Sequence, residues 1–392
     1  MATKTTRRLL LAATALFGIA GPALAADPVK IGIALSMTGN LADSADHYRK
    51  AIELWRDQVN GRGGLLGRPV ELVIYDERSD PATAARLYEK LVTDDKADLL
   101  VAPWGSASTA TASAVAEKHK RLLINAGGAS EKIQQRGFRY TVQTASPISN
   151  YADGVGPIMA KIGAKTVFLV SRDFNAARDM ALEVDKLAKA GSVQILHSEY
   201  FPAGTSDYSS SIAKARQANP DAWVSIAYPN EAIEMVKQFK ATNFLPKLFI
   251  SNGVSQEDFI KATGKDGEYA IGISLYEPVL KTKGNDAFVK SFSAKYGYEP
   301  GYYAGFGFSG VTVLEEAVKQ AGSLDQARIR EVIGGLELDT VMGHYRIDPK
   351  TGAQLGAKGL LVQILKGKRE VVWPDDLRTA EPVVPLPAWS AR

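Results

Sequence analysis

Short apolar runs alternate with longer amphipathic segments along most of the chain. The first apolar run is Val29–Leu35, and the segment after it places Tyr48, Ile52, Trp55 and Val59 at the three- and four-residue spacing of one helix face. Runs rich in Val, Ile and Leu that alternate with helices are typical of βαβ units and of a mainly parallel sheet. The pattern therefore predicts an α/β fold.

The alternation runs in two series, and each series predicts its own sheet. Predicted strands lie at 29–35, 70–75, 98–102 and 122–125 in the first series, and at 166–170, 193–200, 222–227 and 248–251 in the second. Asp80-Pro81 predicts the cap and first turn of a helix at about 82–93. Further helices are predicted from Asn150 and at about 285–296, and a further strand near 360–365. A chain of 392 residues is longer than one hydrophobic core usually organises. No Gly/Ser-rich linker separates the series, so we expect two lobes joined by several short crossings. The proline-rich tail 381–387 is expected to be irregular and peripheral.

The first residues have the pattern of an export signal. A basic stretch with Arg7 and Arg8 precedes the apolar run 9–20, and Ala23-Leu24-Ala25 follows as a small-x-small cleavage site. The apolar run is shorter than the roughly 20 residues of a membrane-spanning helix. We therefore expect residues 1–25 to be a signal peptide, cleaved after Ala25, and the mature protein to be periplasmic. The paired arginines also allow a twin-arginine export route.

Composition argues against several kinds of chemistry. Cysteine is absent, which excludes disulfides, thiolate nucleophiles, cysteine metal sites and a lipid-anchored cysteine. The net charge of +4 falls to +1 without the three cations of the predicted signal peptide, so we expect neither nucleic acid nor an anionic membrane as a partner. The four histidines are far apart and no Gly-x-Ser-x-Gly motif occurs. We therefore expect no metal, no cofactor and no enzymatic activity, although a pair of carboxylates could still form an active site.

The loop Trp104–Thr109 lies between a predicted strand and a predicted helix and contains Gly105, Ser106 and Thr109. Ligands of open α/β sheets lie beyond the carboxyl ends of the strands. A helix that begins there directs free N–H groups and a partial positive charge at the ligand, and it can hold a carboxylate without a basic side chain. Helix capping by serine and threonine would explain the same residues without a ligand.

A second loop of this kind, Ala126–Ser130, follows the next strand and contains Gly127 and Gly128. Adjacent glycines let the main chain approach a ligand closely. Two such loops on successive strands face one crevice, which favours binding over capping alone. The run 302–308, in which aromatic residues alternate with glycines, is compatible with a pocket wall or with ordinary core.

The chain resembles the periplasmic branched-chain amino-acid-binding proteins, the type I solute receptors of ABC transporters, over essentially its whole length after residue 25. The matching stretches are, in chain order, Ile31–Ile33, Met37–Gly39, Asn60–Gly64 with Gly67, Tyr75-Asp76, Asp80-Pro81, Ser106–Thr109, Gln135–Phe138 and Thr144. No single stretch is specific, but their order and spacing together are.

The resemblance implies two Rossmann-like lobes with mainly parallel sheets, joined by three hinge crossings. It places 26–146 plus 277–339 in the first lobe and 147–276 plus 340–392 in the second. It implies a monomer that closes on a small ligand between the lobes and delivers it to the membrane permease of an ABC importer. The same fold also senses ligands for separate proteins, so a sensor remains an alternative.

The resemblance also implies which residues bind the ligand. Ser106 is similar to the family's carboxylate-binding serine, and Tyr303 to a pocket aromatic residue. The family's loop of main-chain donors corresponds to Gly127, Gly128 and Ala129.

Three positions depart from the amino-acid-binding members. Asn252 stands where those members carry an acid for the ammonium group of the ligand, and Ala176 stands where they carry a tyrosine. Ser44 or Ala45 stands in place of an aromatic residue. Burying an ammonium group without its carboxylate partner costs on the order of several kcal/mol. The changes therefore argue against a plain amino acid.

We expect a small carboxylate ligand whose aromatic or other bulky apolar body fills the space left by Ala176 and Ser44. Hydroxycinnamates and benzoate derivatives are ligand classes of receptors similar to this one. Second-lobe residues that could contribute are Arg172, Phe174 and Tyr228. The alternative is that Asp173, or an acid elsewhere in the chain, supplies the missing charge, and that the ligand is a branched-chain or other amino acid.

Overall fold

The computed structural model describes residues 27–392. The predicted signal peptide, residues 1–25, lies outside the described residues. Within 27–392, no helix is both long and apolar enough to span a membrane.

The first sheet is built from the first series of strands. Its strands are β1 (Val29–Leu35), β2 (Val70–Asp76), β3 (Leu99–Val101), β4 (Leu123–Asn125) and β5 (Thr141–Gln143). All neighbours are parallel, in the order β2-β1-β3-β4-β5. The helices of this lobe are α1 (Ala42–Gly61), α2 (Pro81–Thr93), α3 (Ser106–Lys118), α9 (Asn285–Tyr296), α10 (Tyr302–Ala321) and α11 (Gln326–Gly335).

The second sheet has seven strands in the order β14-β13-β10-β9-β8-β6-β7. The strands are β6 (Thr166–Arg172), β7 (Gln194–Phe201), β8 (Ala222–Ile226), β9 (Leu248–Ser251), β10 (Ile271–Ser274), β13 (Leu360–Leu365) and β14 (Lys368–Trp373). Only β13 and β14 run antiparallel to their neighbours. The helices are α4 (Val155–Lys161), α5 (Asn175–Lys189), α6 (Ser209–Ala218), α7 (Pro229–Ala241) and α8 (Glu257–Thr263). A separate hairpin consists of β11 (Leu338–Thr340) and β12 (Gly343–Tyr345).

The predicted fold class, α/β with mainly parallel sheets, is confirmed. Parallel strands buried on both faces need near-continuous apolar sequence, and the strands here have it: β3, β4, β8, β9 and β10 are buried throughout. The chain passes from one sheet to the other after β5, after β10 and before β13. These passages are the three crossings that the resemblance implied.

Glycines in α10 explain the alternating run 302–308. A Cβ on Gly307 would lie 2.6 Å from the carbonyl oxygen of Tyr48, and one on Gly305 would lie 2.9 Å from the ring of Tyr276. The glycines therefore let α10 pack closely against α1 and the second crossing, while the aromatic residues between them fill the remaining space. Trp55 of α1 also donates to Glu315 of α10 at 2.7 Å.

Two segments depart from the sequence prediction. A helix predicted from Asn150 is a 3-10 turn, Ile148–Ala152, followed by α4. A Cβ on Gly154 would meet the Leu361 side chain at 2.5 Å, so the chain bends closely over the second sheet at this crossing. The second departure is β14, which pairs antiparallel with β13 and which the sequence analysis did not predict.

The segment after β12 bonds to the first lobe. Gln143 of β5 donates its N–H to the carbonyl of Gly352 at 2.9 Å, and Arg330 of α11 donates to the carbonyl of Pro349 at 2.9 Å. We therefore propose that the third crossing lies between Gln354 and β13, C-terminal to the expected boundary at residue 340. The tail is irregular, and it packs on the second lobe through two bonds between Val383 and Gln363 at 2.8 Å.

Candidate functional site

A cavity lies between the lobes, at the carboxyl ends of parallel strands from both sheets. Its first-lobe lining is Trp104, Gly105, Ser106, Gly127, Ala129, Ala145, Tyr302 and Phe306. Its second-lobe lining is Phe174, Met180, Ile226, Tyr228 and Asn252, with Ile148 and Tyr151 at the first crossing. The space open to the centre of a water molecule is about 40 Å³. A ligand as large as an aromatic acid therefore requires the lobes to part or the side chains to move.

Ser106 begins α3 at the edge of this cavity. Gly105 before it has a φ of 102°, which a side chain would strain. The Ser106 side chain is buried, and its Oγ accepts a hydrogen bond from the Ser130 N–H at 3.1 Å. Because the hydroxyl accepts from Ser130, its own hydrogen is available to a ligand. This arrangement suits an anionic acceptor.

The loop after β4 is held by Asn125, whose side chain exchanges two hydrogen bonds with Gly128 at 2.8 and 2.9 Å. The Gly128 N–H is therefore used within the loop. Within residues 27–392, the N–H groups of Gly127 and Ala129 have no hydrogen-bond acceptor. A Cβ on Gly127 would lie 2.1 Å from the carbonyl oxygen of Pro103, so glycine is required there. The loop thus offers two main-chain donors to the cavity.

Four of the candidate ligand-binding residues lie away from the cavity lining, namely Ser44, Thr109, Gly128 and Tyr303. Thr109 is fully buried and donates to the carbonyl of Pro103 at 3.1 Å, which holds the start of α3. Gly128 lies behind the loop, against Thr109 and Ile133. Tyr303 packs behind Trp104 with ring centroids 4.6 Å apart, and its hydroxyl lies near Ser44 of α1.

Ala176 is the second residue of α5, but its side chain lies outside the described part of the chain. The hypothesis that this position enlarges the pocket therefore stays a prediction. Gly105, Ser106, Gly127, Ala129, Phe174, Tyr228 and Asn252 do come together around one cavity.

The second-lobe wall is aromatic. Phe174 and Tyr228 stack with centroids 5.6 Å apart, and the Arg172 guanidinium lies 4.7 Å from the Tyr228 ring centroid. Arg172 pairs with Glu231 at 3.2 Å, and both side chains are buried. Burial raises the pKa of Glu231 despite the lowering effect of Arg172. Arg172 is thus already paired, and it supports the aromatic wall instead of offering a free charge to the cavity.

Asn252 lies at the end of β9, where its Oδ1 accepts from the N–H of Ala227 at 2.8 Å. This bond leaves the amide Nδ2 as the group available to a ligand, and Nδ2 is a donor. None of the described lining residues is Asp, Glu, Lys or Arg. The cavity therefore presents donors to a ligand without a carboxylate to balance an ammonium group.

Trp104 is the main lining residue that the sequence analysis did not assign to the site. Its side chain is 5% exposed, and its indole Nε1 has no hydrogen-bond partner among residues 27–392. Burial raises the pKa of Tyr228 to about 12 against the lowering effect of the Arg172 guanidinium and a smaller one of the nearby Trp104 indole. Tyr151 was also missed, whereas Tyr302 and Phe306 belong to the run 302–308, for which the sequence analysis left a pocket wall and ordinary core both open.

The chain matches the family model described as periplasmic binding protein over residues 28–369. It is 27% identical over 354 residues to the leucine-, isoleucine-, valine-, threonine- and alanine-binding protein of Pseudomonas aeruginosa, and the match covers 88% of this chain and 93% of that protein.

Two solved structures share the fold. One is the branched-chain amino-acid transporter substrate-binding protein of Streptococcus pneumoniae in complex with isoleucine (TM-score 0.80, 24% identity, 92% of this chain and 100% of that chain). The other is an ABC-transporter solute-binding protein of R. palustris in complex with benzoate (TM-score 0.80, 22% identity, 92% of this chain and 98% of that chain).

These matches confirm the resemblance that the sequence motifs suggested, and with it the expectation of a binding protein rather than an enzyme. A family match over most of the chain and two α/β lobes with a cavity between them lead to one conclusion. The chain belongs to the periplasmic binding protein family.

Proposed function

We propose that the protein is the periplasmic solute-binding component of an ABC importer. In this proposal it acts as a monomer, binds a small carboxylate with an aromatic or bulky apolar body between its lobes, and delivers it to a membrane permease. The observation that carries the ligand class is the lining: donors from Ser106, Gly127 and Ala129 lie on one wall, and no described lining residue is a carboxylate. The benzoate complex of the R. palustris protein supports this ligand class.

The rings of the cavity supply the rest of the argument. They come from both lobes and leave an apolar environment around the ligand body; the aromatic lining residues are Trp104, Tyr151, Phe174, Tyr228, Tyr302 and Phe306. Apolar area removed from water contributes about 25 cal/mol per Å². A flat apolar body therefore contributes most of the affinity, while the carboxylate fixes its orientation.

An amino-acid ligand is the second candidate. The P. aeruginosa relative binds leucine, isoleucine, valine, threonine and alanine by its name, and the S. pneumoniae structure holds isoleucine. The two candidates differ in one group, the ammonium, which Asn252 cannot neutralise. A ligand-sensing role for a separate protein would use the same cavity, and it differs in the partner rather than in the ligand.

Matched ligand pairs test the proposal. Protein that has been unfolded and refolded to remove carried-over ligand is titrated with leucine and 4-methylpentanoate, and with phenylalanine and 3-phenylpropanoate. Each pair differs only in the ammonium group. We expect the acids to raise the melting temperature more than the amino acids do, with stabilisation of about 2.7 kcal/mol at 100 times the dissociation constant. The opposite order within both pairs would show that the ligand is an amino acid.

Asn252→Asp sharpens this test. Asp retains an oxygen for the Ala227 N–H and adds the negative charge that an ammonium group requires. We expect the variant to bind the acids more weakly and the amino acids more tightly than the wild type. An unchanged ratio of acid to amino-acid affinity would place the polar end of the ligand elsewhere. A panel with benzoate and hydroxycinnamates then defines the size of the ligand body.

A further inference from the structure

One contact joins the two lobes directly beside the cavity. The Ser130 hydroxyl, from the first-lobe loop, donates to Oδ2 of Asp179 in α5 of the second lobe. Lys132 of the first lobe places its Nζ 3.2 Å from the other oxygen, Oδ1. Ser130 and Asp179 are both buried. The second-lobe carboxylate is therefore enclosed by two first-lobe partners.

The same serine also bonds to the candidate ligand-binding residue. The main-chain N–H of Ser130 donates to Ser106 Oγ at 3.1 Å, while its side chain donates to Asp179. Ser130 thus links a second-lobe helix to the hydroxyl at the start of α3. Because Ser106 Oγ accepts from Ser130, the Ser106 hydrogen is left available to an acceptor in the cavity.

The energetics of this contact depend on lobe closure. In a separated arrangement the Asp179 carboxylate is hydrated, and a buried carboxylate is costly unless its oxygens are paired. Hydrogen bonds to an ionised carboxylate are stronger than those between neutral groups. When the lobes close, Ser130 and Lys132 pair with Asp179 and offset the cost of burying its carboxylate. The same pairing holds in place the loop whose Ser130 N–H bonds to Ser106.

We propose that Asp179 is a positioning residue that couples lobe closure to the orientation of the Ser106 hydroxyl. It does not touch the ligand. It retains the bound ligand by stabilising the closed arrangement and by holding the Ser130 N–H on Ser106. This inference rests on the proposed function, because it requires that an acid binds between the lobes.

Stopped-flow binding tests the inference, with the fluorescence of Trp104 and the other tryptophans as the signal. The probes are benzoate, 3-phenylpropanoate and leucine, and the one that binds the wild type most tightly is used for all variants. We expect Asp179→Ala to raise the dissociation rate constant about 10- to 100-fold, and the association rate constant to change less than about 3-fold. Small-angle scattering with saturating probe should show a less compact Asp179→Ala protein than the wild type.

Three further variants make the outcome specific. Asp185→Asn is the control, because Asp185 lies on the same helix and makes no side-chain hydrogen bond or ion pair with residues 27–392. Asp179→Asn retains an oxygen for Ser130 and loses the charge opposite Lys132, so its dissociation rate constant should lie between those of the wild type and Asp179→Ala. Ser130→Ala should resemble Asp179→Ala, and the double variant should be no worse than either single variant.

The outcomes separate the two proposals. If the wild type binds none of the probes, the proposed function and this inference are both wrong. If the wild type binds a probe while Asp179→Ala dissociates like Asp185→Asn, only the inference is wrong. Additive effects of Ser130→Ala and Asp179→Ala would also contradict it. Melting temperatures of the ligand-free variants establish that each is folded, and Asp179→Asn carries the test if Asp179→Ala is not.

Discussion

Both walls of the interlobe cavity carry aromatic rings, but their polar groups differ: loop donors lie on the first-lobe wall and the Asn252 amide lies on the second. The first-lobe wall presents main-chain N–H groups and the Ser106 hydroxyl, in loops whose shape depends on Gly105 and Gly127. The second-lobe wall presents the rings of Phe174 and Tyr228, which a buried ion pair supports. Main-chain donors cannot be exchanged by substitution, whereas rings can. We infer that the first wall sets which polar group is bound, that Asn252 of the second wall sets the charge of the rest, and that the rings of both walls set its size.

The largest effect is expected at the ion pair behind the second wall. Arg172→Ala leaves Glu231 buried without its cation, and it removes the guanidinium that packs on the Tyr228 ring. Loss of one partner of a buried pair costs about 3–5 kcal/mol, reduced to the extent that Glu231 takes up a proton. Urea unfolding at neutral pH measures the loss of stability.

The control is Arg178→Ala, which removes an ion pair to Asp173 in which both side chains are about half exposed. Exposed pairs contribute about 0–1 kcal/mol. If the two variants lost the same amount of unfolding free energy, the pair of Arg172 and Glu231 would not support the second wall.

The next effect is expected in the first wall. Gly127→Ala brings a Cβ within 2.1 Å of the Pro103 carbonyl oxygen, so one of the two loops must move. We expect a loss of about 1–3 kcal/mol in unfolding free energy and weaker binding of every acid, because the main-chain donors move with the loop. Gly61→Ala is the matched control, since a Cβ there meets no atom within 4 Å. Normal acid binding by Gly127→Ala would exclude this loop from the site.

A smaller effect on stability, but a clear one on affinity, is expected at Ser106. Ser106→Ala removes one hydroxyl donor and leaves the loop bonds of Asn125 in place. A hydrogen bond to a charged group contributes enough to weaken acid binding about 10- to 100-fold. Calorimetry on Ser106→Ala and on Ser291→Ala, a serine of α9 that bonds within its own helix, measures the difference. If both variants bind like the wild type, the carboxylate does not meet Ser106.

The smallest effect concerns the outer edge of the second lobe. Hydrogen bonds from Lys214, Ser211 and His197 outweigh burial and lower the pKa of Glu199 from 4.5 to about 2. Since the folded-state pKa is depressed, Glu199 contributes stability above about pH 4.5, and the contribution is lost as the pH falls towards 2. The difference in unfolding free energy between the wild type and Glu199→Gln should therefore shrink over that range. A constant difference from pH 5 to pH 2 would contradict the assignment.

The fold could be predicted because its signals are local. The apolar strands and amphipathic helices gave the two series, and α9 was predicted with its observed bounds, Asn285–Tyr296. Asp80 and Pro81 predicted the start of α2, and the Asp80 side chain does accept from the Thr83 N–H at 2.6 Å. The hairpin β13–β14 was missed in part because pairing between Leu365 and Lys368 depends on a tight turn in a half-exposed segment.

The sequence analysis named lining residues on both walls, but only those of the first wall came from a local pattern in the sequence. Asn252, Phe174 and Tyr228 of the second wall were named through the resemblance. Small residues after β3 and β4 identify the first-lobe loops, because a glycine or serine at a strand end has a limited set of functions. The same reasoning could not tell whether Gly127 or Gly128 has the free N–H, or whether Ser106 or Thr109 has the hydroxyl that faces the cavity. Which N–H is free and which hydroxyl faces the cavity depend on Asn125 and Pro103, through contacts that leave no pattern in the sequence.

The sequence by itself determined the α/β class, the family and the polarity of the first wall, since each depends on neighbouring residues or on the spacing of motifs. The tertiary structure decided which residues contact each other across the cleft. Trp104 faces Tyr228 and Ser130 meets Asp179, although 124 and 49 residues separate these pairs in the chain. Such contacts depend on how the two lobes close on each other. Closure is set by packing and burial over the whole molecule, and no local pattern encodes it.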